Sequence, residues 1–297
     1  MRLENIPFRL ESELFKGWYS FSKGRPSSRP FVSGDSFRSL ADHIEEPGSR
    51  IYPKSVRRGD IVFVQASELA RFEESILPSV SKPFILLTHN GDLNIGQRFS
   101  RLADDEKVLH WFAQNLVFRH PKLTAVPIGL ENRSLHSHGV IRDFVRLAKR
   151  RSRRFNRILY GFTIENNPAE RLPAAESLKA SAQADFTSRL NSRKYRQLLN
   201  QYGFVASPPG NGVDCHRTWE ALYLGVVPIL KRSPFYSFFP DLPALFVDDW
   251  KEITHWDDEF LTKSRAILCP RIESTPYLRF DYWRGLIQEA RRRVEKT

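Results

Sequence analysis

The feature that most constrains this chain is a regular alternation of short apolar runs with segments of helical periodicity. In the first half the segments between the runs carry apolar residues at helical spacing, over residues 35–44, 66–76 and 104–114. The runs are rich in Val, Ile and Phe and are bounded by turn-forming residues, as buried strands are: PFVSG (30–34), DIVFV (60–64), FILLT (84–88), NLVF (115–118) and LTAVPI (123–128). Strands that alternate with helices in this way predict a parallel sheet in an α/β fold.

The same alternation restarts after residue 150. Further strands are expected at 157–164, 203–207, 226–230 and 244–249, with helices between them. A chain of 297 residues is long for one core and suits two domains. We therefore predict two Rossmann-like, doubly wound halves that meet at 148–156: an amino-terminal domain (1–150), a second domain (151–275) and a terminal helix (276–297) that packs back toward the first domain.

The chain is strongly basic, and this charge permits an anionic partner. The 46 Lys and Arg exceed the 34 Asp and Glu, for a net charge of +12. Nucleic acid, an anionic membrane and a phosphorylated substrate are all compatible with that excess. The basic runs at 149–154 and 291–293 are equally compatible with solvated helix faces. Nucleic acid is the least favoured partner, because the runs lack interleaved aromatics and no helix-turn-helix, zinc or RNP signature is present.

Three features favour a cytoplasmic location. The amino-terminal segment is charged throughout, unlike a signal peptide. The most apolar run, YLGVVPIL, is far shorter than a membrane span, and two cysteines, Cys215 and Cys269, give no disulfide framework. We expect a cytoplasmic protein whose basic surface suits peripheral contact with the anionic inner face of a membrane. The sequence leaves the oligomeric state open.

The stretch FVASPPGNGVDCHRTWEAL (204–222) joins a strand, a glycine loop and a helix start, an order typical of anion sites. Gly210 and Gly212 permit positive φ and close backbone approach, and Asp214 suits the N-cap of the helix. Arg217 lies in the first helical turn, where a guanidinium can hold a diphosphate bidentately. Glu220 shares its face and can accept bonds from sugar hydroxyls. From chemistry alone, a solvated Arg–Glu pair worth a few tenths of a kcal/mol remains equally open.

The segment 194–230 resembles the carboxyl-terminal donor-site motif of exostosin-like glycosyltransferases. A weaker resemblance extends over LYGFTIENNPAER and, as in related bacterial enzymes, over FVSGDSFR. The amino-terminal half departs from the animal exostosins, so their substrates are not transferred to this chain. The residues that carry the close match are Tyr195, Phe204, Pro209, Gly210, Arg217, Glu220, Ala221, Leu222, Gly225, Pro228 and Ile229.

This resemblance implies a GT-B fold, in which two Rossmann-like domains face each other across a cleft and the second domain holds a nucleotide sugar. It implies inverting transfer to a glycan or lipid-linked acceptor in surface polysaccharide synthesis, with no cofactor beyond the donor substrate. Arg217 would pair with the donor diphosphate and Glu220 would bind ribose or sugar. The loop Gly210, Asn211 and Gly212 would lie against the donor. Arg171 would be a second phosphate contact, unless it is only an exposed arginine at a helix start.

Transfer with inversion needs a base that accepts the proton of the acceptor hydroxyl. Loops at the carboxyl ends of strands are the expected place for it. Asp92 is the first candidate and His89 the second, both after the strand at 84–88, although Asn-Gly-Asp is also a common turn. Asp35, after the run at 30–34, is the third candidate, unless it only caps the next helix.

No metal site is expected. Cys215 and His216 have no partners at ligand spacing, the His-Ser-His at 136–138 is a weak pair, and no Asp-x-Asp triplet occurs. Two other functional classes stay open besides an enzyme: a basic nucleic-acid-binding protein and a non-catalytic protein that binds nucleotide sugars.

Overall fold

A computed structural model describes residues 25–135, 138–149 and 154–295. These residues contain two five-stranded sheets in which all strand pairs are parallel. The predicted α/β class with two Rossmann-like domains is confirmed. The amino-terminal segment 1–24, His136 and most of the basic run at 149–154 lie outside the described residues.

The first sheet has its strands in chain order. They are β1 (His43–Glu45), β2 (Ile61–Gln65), β3 (Phe84–His89), β4 (Val108–Ala113) and β5 (Leu123–Ala125). The central strands β2 and β3 are buried on both faces, which is why they read as continuous apolar runs. The helices of this half are short: α1 (Gly34–Arg38), α2 (Leu69–Arg71) within a helical stretch at 66–79, and α3 (Ser100–Asp104).

Three predicted elements of this half are wrong, and the helix predicted over 35–44 ends at Arg38, before β1. The segment 115–118 is not a strand and forms only one bridge, between Leu116 and Ile95. The segment 104–114 is not a helix but contains β4, which pairs with β3 and β5 and buries Trp111 and Phe112. The segment 30–34 is not a strand and forms only one bridge, between Ser33 and Leu130. Helix α1 begins at Gly34, the last residue of that segment, and Gly34 lies against the side chain of Asn90 beyond the end of β3.

The second sheet reverses its strand order. Its strands are β6 (Phe155–Tyr160), β7 (Ala184–Phe186), β8 (Tyr202–Ala206), β9 (Val227–Lys231) and β10 (Leu245–Val247), in the order β10-β9-β8-β6-β7. The chain moves outward from β6 to β7 and then returns to the other side of β6. The connecting helices are α5 (Pro168–Ala180), α6 (Ser192–Leu199) and α7 (His216–Tyr223). In the described residues this reversal, which defines a doubly wound sheet, is present in the second domain, whereas the first sheet runs in chain order.

The helix α4 (Ile141–Ala148) packs on the second sheet. Its Phe144 and Leu147 share a buried cluster with Leu159 of β6 and Val205 of β8, and Asp143 accepts a 2.6 Å bond from buried Arg196. The chain therefore crosses between the sheets after β5 and before α4, earlier than the expected boundary at 148–156.

The chain ends in α8 (Asp258–Ser274) and α9 (Phe280–Glu295). Helix α9 contacts the first domain: the Phe280 amide donates to Pro30 O at 3.1 Å, and Arg291 pairs with Asp42 at 3.1 Å. One hydrophobic core runs through both domains, since Leu86 of β3 and Phe204 of β8 belong to the same buried cluster.

Candidate functional site

A cleft of about 740 Å³ opens where the carboxyl ends of the two sheets meet. Loops after β3 and β5 line it from the first domain, and loops after β6, β7 and β8 line it from the second. The strand-order reversal between β6 and β8 lies at this cleft. Parallel α/β sheets bind ligands at such a reversal, beyond the carboxyl ends of the strands. The two domains therefore face each other across a cleft, the GT-B arrangement.

The glycine loop after β8 fits closely between two side chains. A Cβ on Gly210 would lie 2.8 Å from Arg171 Nη2, and one on Gly212 would lie 2.6 Å from Asn115 Nδ2. Neither glycine is among the residues with positive φ. Glycine is therefore needed at these two positions because a larger residue would not fit, and not because the backbone conformation requires it. Asn211 Nδ2 donates to Asp92 Oδ2 at 3.1 Å across the cleft. The loop thus contacts both domains.

Asp214 fastens this loop to the first domain and does not cap α7. Cys215 holds the N-cap position, without a side-chain capping bond. The buried Asp214 carboxylate accepts bonds from the Ile128 amide at 2.8 Å and from Trp219 Nε1 at 2.9 Å. Burial raises the pKa of Asp214 to about 7. Its expected role as N-cap is wrong, because the side chain turns inward to these donors.

Arg217 lines the cleft and makes no ion pair with Glu220. Its Nε donates to Tyr195 Oη at 3.1 Å and its Nη2 to Gly161 O at 2.9 Å. Glu220, 3 % exposed, lies instead near His138, with 3.7 Å between Oε1 and Nδ1. The solvated ion pair between Arg217 and Glu220, which the sequence left open, is therefore not present. A guanidinium has five N–H donors, so Arg217 keeps donors for a ligand in the cleft.

Arg171 lies beside Arg217. It is 7 % exposed and occupies the first turn of α5, where Nε donates to Pro209 O at 2.8 Å and Nη1 to Thr163 O at 2.7 Å. The guanidinium carbons of Arg171 and Arg217 each lie 5.8 Å from the centroid of the Phe162 ring. The alternative of an exposed arginine is therefore wrong. Two cations share one end of the cleft, an arrangement that attracts a ligand with more than one negative charge.

Sequence reasoning missed one carboxylate of the cleft. Glu131 follows β5 in the first domain, and its Oε2 accepts the His138 amide at 2.5 Å. His138 therefore lies between two glutamates, since its ring is also near Glu220. The signal that pointed to Asp92, a polar residue just beyond a strand of the first sheet, applies equally to Glu131.

The three candidates for the catalytic base lie in different surroundings. Asp92 is exposed in the cleft and contacts the glycine loop through Asn211. His89 is buried outside the cleft lining. Its Nδ1 accepts the Asn90 amide at 2.8 Å, so its Nε2 carries the proton that is donated to Pro127 O at 3.1 Å. Burial lowers the pKa of His89 to about 4. Both ring nitrogens are thus occupied by the backbone.

Asp35 is also placed away from the cleft. Its carboxylate pairs with Arg25 at 2.7 Å and accepts from Ser134 Oγ at 3.1 Å, and burial raises its pKa. Ser33, not Asp35, accepts the bond that caps α1. The structure therefore brings Asp92, Arg171, Arg217, Glu220 and the glycine loop together at the cleft, and it leaves His89 and Asp35 outside.

Two features are absent from the described residues. No group of three or more His, Cys, Asp or Glu side chains is arranged to hold a metal ion. Among the helices of the described ranges, none is both long and apolar enough to cross a bilayer.

Neither a protein-family model nor a curated protein sequence matches the chain. Similar solved structures include the spinosyn rhamnosyltransferase complexed with thymidine diphosphate (12% identity, 76% of this chain and 72% of that chain, TM-score 0.39). They also include a trehalose 6-phosphate synthase from Burkholderia multivorans (10% identity, 81% and 72%, TM-score 0.49) and the E. coli trehalose-6-phosphate protein bound with UDP-2-fluoro glucose (10% identity, 80% and 74%, TM-score 0.49). None of these comparisons confirms the resemblance to exostosin-like enzymes.

Proposed function

We propose that this chain is a glycosyltransferase that moves a hexosyl or pentosyl group from a nucleotide sugar to a glycan or lipid-linked acceptor. The observation that carries the proposal is the pair of arginines, Arg171 and Arg217, whose guanidinium carbons each lie 5.8 Å from the centroid of the Phe162 ring, at the strand-order reversal of the second sheet. A donor diphosphate carries the two adjacent negative charges that such a pair attracts. The place in surface polysaccharide synthesis rests on the sequence resemblance alone.

In the proposed reaction the acceptor hydroxyl loses its proton to Asp92 while its oxygen attacks the anomeric carbon. The bond from that carbon to the diphosphate oxygen breaks, the configuration inverts, and Arg217 and Arg171 stabilise the charge that develops on the leaving diphosphate. Glu220 and Glu131 supply acceptors for sugar hydroxyls. Asp92 suits the base because it is exposed on the first-domain wall, opposite the arginines.

The first test is nucleotide affinity. Replacing Arg217 with Ala removes charge-assisted bonds to the diphosphate, so the affinity for UDP or dTDP falls roughly 10- to 150-fold. Arg232→Ala is the matched control, since Arg232 pairs with Asp248 on the surface outside the cleft lining. Calorimetry measures both, with a thermal melt to verify the fold. Equal affinity in Arg217→Ala and the parent would remove the proposed donor site.

A kinetic test distinguishes the role of the first-domain residues of the cleft from that of the donor-binding residues of the second domain. Asp92→Asn leaves nucleotide affinity nearly unchanged but lowers turnover about 10²- to 10⁴-fold, because the base acts only as the transition state forms. Glu131→Gln, which keeps the shape of the nearby carboxylate, is the comparison. Normal turnover in Asp92→Asn with a large loss in Glu131→Gln would transfer the role of base to Glu131. If neither parent nor variant transfers sugar while nucleotide still binds, the non-catalytic alternative holds.

We further propose that transfer needs no divalent metal, because the two arginines meet the diphosphate charge. Activity in excess chelator should equal activity without it. Loss of transfer in chelator that manganese or magnesium restores would contradict this part of the proposal and leave the donor-affinity test unaffected.

A further inference from the structure

A second charged groove lies at the opposite end of the first sheet. It has a volume of about 490 Å³ and is lined by the loops that precede β2 and β3. Because strands of a parallel sheet all point the same way, this groove and the cleft lie at opposite edges, separated by the strand length of roughly 20 Å. Its lining residues are Lys54, Val56, Arg57, Arg58, Ser81, Lys82 and Pro83.

The cations of this groove have no ion-pair partner among the described residues. Lys54, Arg57, Arg58 and Lys82 are all exposed, and none of them makes an ion pair with another described residue. Elsewhere on the surface basic residues are commonly paired, as Lys263 is with Glu259. Four like charges around one groove repel each other, so an external polyanion would lower the electrostatic energy of this region.

We propose that this groove attaches the protein peripherally to an anionic lipid bilayer. The groove is open and its cations are exposed on long side chains, which suits several phosphate headgroups better than one enclosed ion. Tyr52, 66 % exposed, precedes Lys54 in the same loop, and tyrosine favours the boundary between lipid and water because its ring is apolar and its hydroxyl polar. Among the described residues, no aromatic side chain lines the groove itself, so they do not supply there the stacking that single-stranded nucleic acid needs.

The attachment would leave the catalytic cleft unobstructed. The cleft opens at the other edge of the sheet, so a bilayer at the groove does not contact the residues that line it. This inference does not depend on the proposed glycosyltransferase activity, because the binding measurement needs no donor or acceptor.

The test is flotation of the full chain with vesicles of phosphatidylcholine alone and of phosphatidylcholine with phosphatidylglycerol. The parent should float only with the anionic vesicles. Each removed charge should lower the partition coefficient about fivefold, so the variant with Lys54, Arg57, Arg58 and Lys82 all replaced by Gln should lose more than about 100-fold. The control replaces four exposed cations elsewhere, Lys179, Lys251, Lys263 and Arg279, by Gln for the same change in net charge.

Several outcomes would overturn the inference. One is equal loss in the groove variant and the control, which would indicate net charge rather than this groove. Another is retention of the parent on vesicles at about 1 M salt, where the Debye length falls to about 3 Å and such contacts are screened. A thermal shift of the parent with inorganic phosphate and no vesicle binding would indicate a soluble anion instead. Binding of a single-stranded oligonucleotide without vesicle binding would indicate nucleic acid.

Discussion

At the residue scale, Asp214 links the folding of the chain to pH. Burial raises its pKa to about 7 in the folded state, whereas an unfolded aspartate titrates near about 4. Between these values the folded state holds a proton that the unfolded state has lost. The stability contributed by this group is therefore fully present below about pH 4 and is lost as the pH rises through about 7.

Comparison of the parent with Asp214→Asn measures that effect, because an amide does not titrate. As the pH rises from about 4 to about 7, the unfolding free energy of the parent should fall relative to that of the variant, by at most about 1.4 kcal/mol per pH unit for one proton. Urea unfolding at several pH values in this window gives the difference in unfolding free energy between the parent and the variant. The titration of other groups cancels in that difference because both proteins contain them. A constant difference across the window would show that Asp214 is ionised in the folded protein.

Single residues also show how far the sequence determined the site. Asp92 follows a strand, and that position predicted that it lies at the cleft. Arg217 and Glu220 begin a helix after a strand, and their place at the cleft was predicted from that position together with the resemblance to exostosin-like enzymes. The burial of His89 could not be read in the same way. His89 is the last residue of β3 and lies close to Asp92 in the chain, but Gly34 and Phe37 pack against its ring, and those contacts join residues distant in sequence.

At the scale of single elements, the pairing of strands distant in sequence decided the structure of one segment against its local hydrophobic pattern. The segment 104–114 has the charged start and apolar spacing of a helix, yet it supplies β4 because a strand is required between β3 and β5. The runs that form β2, β3, β8 and β9 were predicted because both of their faces are buried and the apolar sequence is unbroken. For amphipathic segments the sequence does not distinguish strand from helix, because tertiary contacts determine which of the two forms.

The glycine loop after β8 fits so closely that one added methyl group should disturb it. A Cβ at Gly212 would press on Asn115, whose Oδ1 accepts the Asp214 amide at 3.1 Å, so Gly212→Ala should cost about 1–3 kcal/mol of unfolding free energy and weaken nucleotide binding. Gly96→Ala is the control, because its added Cβ would meet only Val117 at 3.6 Å. Urea unfolding and calorimetry with UDP test both variants. Equal results for the two would mean that the loop shifts freely.

At the scale of the whole molecule, the two domains share one core and a set of cross-cleft bonds. The Ile128 amide bonds Asp214, and His216 Nδ1 donates to Gly129 O at 2.8 Å. Tyr223 on α7 accepts the Val32 amide and donates to Leu278 O, both at 2.8 Å. An opening of the cleft would break these contacts together, so we expect the domains to unfold as one cooperative unit.

Nucleotide binding tests this coupling. At about 100 times its dissociation constant, UDP or dTDP should add about 2.7 kcal/mol of stability, which corresponds to a rise of roughly 4 °C for a chain of 297 residues. Because the core is continuous, calorimetry should show a single transition that moves as a whole, and Arg217→Ala should lose about half or more of the shift at the same nucleotide concentration. Two transitions, of which only one moves with nucleotide, would mean that the second domain binds the donor and unfolds without the first.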